Sequence, residues 1–120
     1  MKYAKVICAG LAGLALSVAA AQAAGPEGMW KRKNGDTVQV SIKGGKLYCT
    51  IVAGSKPGFE MCHGMDGSGN SWSGKKMKHP SMPGFMKFNG TVSVSGNSFK
   101  IKGCAIGQAM CDSETWTRSN

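Results

Sequence analysis

Thr37-Val38-Gln39-Val40-Ser41-Ile42 sets a branched apolar residue at every second position, with Asn34-Gly35-Asp36 before it and Gly44-Gly45 after it. A period of two belongs to a strand with one face turned inward, and a glycine pair between two such runs is a hairpin turn. Lys46 to Val52 is the run that pairs back. The same pattern returns in Gly90 to Ser95, the turn Gly96-Asn97, and Ser98 to Lys102, and Glu114 to Arg118 is a last strand. Outside the N-terminal segment no helical period extends beyond a turn, while glycines punctuate the runs. The expected fold is therefore all-β, a small antiparallel barrel of meander topology. Its inward positions include Val38, Val40, Ile42, Val92, Val94, Phe99 and Ile101. They either line an apolar pocket, with Val38, Val40, Ile42, Phe99 and Ile101 as the ligand-binding candidates, or fill the barrel.

Between the hairpins, glycine, proline and serine dominate from Gly54 to Gly84, and only Trp72 to Met77 reads as a strand. Most of that stretch is expected to be loop, and loops of such length are usually functional or mobile.

The N-terminus is a short basic start, Met1-Lys2-Tyr3-Ala4-Lys5, then an apolar run from Val6 to Ala21 and the tripeptide Ala21-Gln22-Ala23. This is the pattern of a secretory signal helix cleaved after Ala23, leaving residues 24–120 as a single domain with no membrane-spanning segment. A periplasmic or secreted location follows. Of the five cysteines, Cys8 leaves with the signal segment, and in that setting the remaining four, Cys49, Cys62, Cys104 and Cys111, read as two disulfides. Three pairings are open; Cys49–Cys62 with Cys104–Cys111 is preferred because each bridge would bracket one loop between two strand-like runs. Loss of Lys2 and Lys5 reduces the formal charge of +9 to +7. Export argues against a nucleic-acid partner, so the charge points either to anionic components of the cell envelope or to a solvated face.

Two motifs mark the ends of the domain, Gly28-Met29-Trp30 and Trp116-Thr117-Arg118. A G-x-W opening the first strand with an arginine on the last resembles the lipocalin-type barrel, in which the arginine lies across the tryptophan and shuts one end. Four further segments appear in order: Gly45 to Val52, Trp72 to Pro80, Phe99 to Cys104 and Glu114 to Arg118. Together they resemble the small secreted bacterial proteins grouped as domain of unknown function twenty-one-forty-seven. The resemblance implies a lipocalin-like barrel closed by Trp30 and Arg118. The stretch between Val52 and Trp72 does not match that family, which has no settled activity to lend.

Catalytic frameworks are absent from the chain: there is no G-x-S-x-G, H-E-x-x-H, P-loop or paired-carboxylate pattern. A non-catalytic role is expected, with no cofactor, in binding a small apolar molecule or an envelope component. The alternative is copper(I) binding in the segment 61–86, which holds five methionines and both histidines. Thioether and imidazole suit that ion. In an extended segment Met61, His63 and Met65 would share one face, and Met82 could reach them from a folded-back loop.

Overall fold

The computed structural model describes residues 25–83, 86–105 and 110–119; the expected signal segment lies outside them. Eight strands follow one another: β1 (Gly28–Lys31), β2 (Thr37–Lys43), β3 (Lys46–Ala53), β4 (Glu60–Ser68), β5 (Ser71–Met77), β6 (Phe88–Ser95), β7 (Ser98–Ala105) and β8 (Met110–Arg118). Each pairs antiparallel with its successor, and β8 returns to β1 to close the barrel. No helix occurs among the described residues.

Residues 54–84 are a correction to the expected long loop. Glu60–Ser68 is a strand that pairs with β3 on one side and with β5 on the other. Its sequence, EMCHGMDGS, contains no branched apolar residue. Two features substitute for strand propensity here. The disulfide Cys49–Cys62 fastens β4 to β3, and Gly64, at φ +61°, makes the irregular step between the Cys49–Cys62 and Leu47–Met65 pairs. A left-handed residue inside a strand is the province of glycine.

The expected inward positions fill the barrel. Val38, Val40, Val92, Val94, Phe99 and Ile101 are buried with Leu47, Ile51 and the Cys49–Cys62 bridge, and Ile42 is half-buried against them. One end is shut by aromatics: Phe99 stacks on Trp116 with ring centres 4.7 Å apart and leans on Trp30 at 5.1 Å. Arg118 covers this stack, its guanidinium 4.2 Å from the centre of the Trp30 ring. The same guanidinium donates to the carbonyls of Gly25, Glu27 and Gly96. The second disulfide, Cys104–Cys111, crosses from β7 to β8.

A meander alternates its turns between two ends. Turns 44–45, 69–70 and 96–97 lie at the shut end with the start of β1 and the finish of β8, whereas 32–36, 54–59 and the described residues of the connection between β5 and β6, 78–83 and 86–87, gather at the other, the mouth.

Candidate functional site at the barrel mouth

The mouth is built around a run of charges that crosses three connections. In the turn after β1, the Arg32 N–H donates to the Asp36 carbonyl and the Gly35 N–H donates to the Arg32 carbonyl. That tight turn keeps both side chains inside, each less than a tenth exposed. Burial of charge demands partners. The Asp36 carboxylate accepts from Arg32 Nη1 at 2.9 Å, from Asn34 Nδ2 at 3.1 Å, and from the Ser55 backbone N–H at 2.9 Å. Gly54 leaves the room for this: a Cβ there would overlap the Asp36 carboxylate, and its φ of +124° disfavours any other residue. Ser55 holds the Asp36 carboxyl below its ordinary range; the Asn34 and Arg32 contacts add to this, against the opposing effect of burial.

Arg32 then reaches β8, where Nε and Nη2 donate to the two carboxylate oxygens of Glu114 at 3.0 and 2.8 Å. Two parallel charge-assisted bonds are the strong form of this pair. Glu114 also accepts from Trp116 Nε1 at 2.8 Å and meets His79 Nε2 at 2.9 Å. Burial alone would push its carboxyl up; the bonds from Arg32, Trp116 and His79, together with the guanidinium charge, outweigh it and bring the group down to about 2. His79 completes the run. Its Nδ1 accepts the Ser81 backbone N–H at 3.1 Å, so the ring proton sits on Nε2 and is donated to Glu114. The Ser81 hydroxyl is 2.7 Å from the same Nδ1.

Beside this brace lies a cavity of about 490 Å³. Met61 from β4, Met77 from β5, Met82 and Met86 from the 78–87 connection, and Met110 from β8 all line it. Phe88 and Ile101 line it as well, together with His79, Ser81 and Glu114. Met77 is seated on the backbone of Gly90, where an added Cβ would overlap its sulfur.

The sequence candidates are distributed differently from their linear spacing. Val38, Val40 and Phe99 are core, and of the proposed pocket residues Ile101 lines the cavity. Met61 and Met82 meet there, but Met65 is fully buried against Gly74, and His63 faces outward, bonded to Glu60. Met61, His63 and Met65 therefore do not share a face, because the pairing with β3 shifts register on both sides of Cys62: Met61 and Cys62 are both buried, and Gly64 makes the second step before Met65. His63 belongs instead to an outer groove of about 680 Å³ with Lys46, Lys75, Lys76 and Lys102, of which Lys46 is paired with Asp66. Arg32, Asp36, Glu114 and Met110 carry the mouth without having been singled out. Asn34-Gly35-Asp36 signalled the turn; a pair separated by 82 residues leaves no local trace.

Comparison of the chain with protein-family models, with curated proteins and with solved structures finds no match in any of the three.

Proposed function

We propose that this is an exported, non-catalytic, lipocalin-like barrel that binds a small apolar molecule in the cavity at its mouth. The observation that carries the reading is the convergence of five methionines with Phe88 and Ile101 on one open space. Cavities of roughly 300–1,000 Å³ with apolar walls and a few fixed polar groups are the usual form of small-molecule sites. Methionine suits an adaptable wall, being unbranched and polarizable. Arg118 across Trp30 supports the lipocalin-like reading, and two disulfides support export.

A Ser81, His79 and Glu114 series within hydrogen-bond reach has the outline of an activated nucleophile. Its electrostatics favour a brace. The Nδ1 lone pair that would take the Ser81 proton already receives the Ser81 backbone N–H, and Arg32 neutralises the carboxylate that would stabilise an imidazolium.

The test is titration with an apolar fluorescent probe. Met82→Glu and Met110→Glu change exposed rim positions and should weaken probe binding, whereas Val52→Glu, exposed on β3 and away from the cavity, should not. Equal affinity in all four proteins removes the cavity as the site.

A second reading rests on the outer groove, whose lysines suit a phosphorylated or carboxylated envelope component. Salt-sensitive retention on anionic vesicles, lost in Lys75→Ala/Lys76→Ala/Lys102→Ala, would support it; retention unchanged by salt or by these changes would count against it.

A further inference from the structure

We propose that the mouth cavity also takes a soft monovalent cation, copper(I), through methionine sulfurs drawn from Met61, Met77, Met82, Met86 and Met110. The inference rests on the cavity being open to a ligand, as the proposed function requires, and it names a second ligand class for that site.

Five of the eight methionines line this one space, although they come from β4, β5, β8 and the connection at 78–87. Packing accounts for Met61 and Met77, which are 3 % and 4 % exposed, but not for Met82 and Met110, which are 45 % and 63 % exposed. A gap-filling side chain is placed to lose water, and these two stand at the rim with much of their surface still in it. What they offer there is sulfur. The groups that would serve a harder ion are occupied. His79 uses Nε2 on Glu114 and Nδ1 on Ser81, Glu114 is bound by Arg32, and Cys111 is in a disulfide. Among the described residues no three of His, Cys, Asp and Glu gather as a metal set. A three-ligand set for zinc, calcium or magnesium is therefore lacking among the described residues, while thioethers select copper(I). A single positive charge is also tolerable at this rim, where the carboxylates of Asp112 and Glu114 line the cavity together with one lysine, Lys78. The donor set differs from the one expected from sequence: Met65 and His63 leave it, and Met77, Met86 and Met110 enter.

The experiment uses the mature protein with copper(I) under anaerobic conditions against a competing chelator, and silver(I) as the air-stable probe for methyl-resolved NMR of labelled methionines. Wild type should bind a single equivalent, and silver should shift methyl signals of the cavity methionines while leaving Met29 and Met65 in place. Met61→Leu/Met82→Leu/Met110→Leu keeps volume and apolarity, so it should lose the metal and retain the apolar probe. That contrast separates the two ideas: probe binding without metal binding in wild type overturns the copper site alone, and metal without probe overturns the apolar reading alone. The copper site is also overturned if the leucine variant holds copper as tightly as wild type, or if silver moves Met29 or Met65 instead. The NMR measurement needs no variant, so a folding defect in the leucine protein does not shelter the idea.

Discussion

Arg32 and Glu114, 82 residues apart in the chain, meet through two parallel hydrogen bonds of 3.0 and 2.8 Å. Through that contact the first turn of the barrel, its last strand and the connection carrying His79 share one carboxylate.

Truncating Glu114 should therefore cost more than its partial exposure suggests. Glu114→Ala leaves Arg32 buried beside Asp36 alone, and removal of one partner from such a pair costs about 3 kcal/mol. Urea unfolding should show the midpoint falling with little change in slope. Replacing both partners, as Arg32→Met/Glu114→Leu, should recover much of the loss, since the uncompensated charge is gone.

Stability should also fall in acid. Glu114 is lowered from 4.5 to about 2 and Asp36 is lowered as well, so both carboxylates favour the folded state when ionised. Their contribution is fully present above the unfolded value near 4.5 and is lost as pH falls toward about 2. Denaturant midpoints measured across that window should decline in wild type and decline less in Glu114→Gln. Parallel curves would mean that Glu114 is not what titrates.

Gly90 is a socket. A methyl group at this position overlaps the Met77 sulfur, so the flexible end of Met77, which lines the cavity, has to shift. Gly90→Ala should thus cost about 1–3 kcal/mol by overpacking and weaken the apolar probe, and Met77→Ala in the same chain should restore stability in part. Binding unaffected by Gly90→Ala would show that Met77 turns elsewhere.

The two disulfides should separate by access. Cys49 and Cys62 are fully buried, whereas Cys111 is exposed although Cys104 is not. A thiolate must reach a sulfur to reduce the bond. Mild reductant followed by alkylation and peptide mass analysis should label Cys104 and Cys111 first. Reduction of the buried bridge should follow only with unfolding, and its loss costs about 2–5 kcal/mol in small secreted domains.

The strands legible from sequence were those whose inward residues are branched or aromatic, as in Val38, Val40 and Ile42 or Phe99 and Ile101. β4 was illegible because its inward residues are methionine and cysteine, which carry no strand signature, and because Gly64 interrupts the alternation. Met61, Met77, Met82 and Met86 read as possible donors within the segment 61–86, but Met110 does not: it is nearly 30 positions beyond Met82 and is brought near only by barrel closure. Arg32 reads as surface within Lys31-Arg32-Lys33, and only the fold of its turn shows that the middle residue points inward.

The first and last strands pair at the shut end, where the Ser119 N–H donates to the Met29 carbonyl and Arg118 grips Gly25. Anything joined to either end of the barrel thus leaves from the face opposite the cavity. A tether, fusion or surface attachment made through the start or the finish of the barrel would hold the molecule upright, with its mouth turned toward the medium. Immobilising the protein by its C-terminus should accordingly leave probe uptake undiminished, a practical orientation for assays on a solid support.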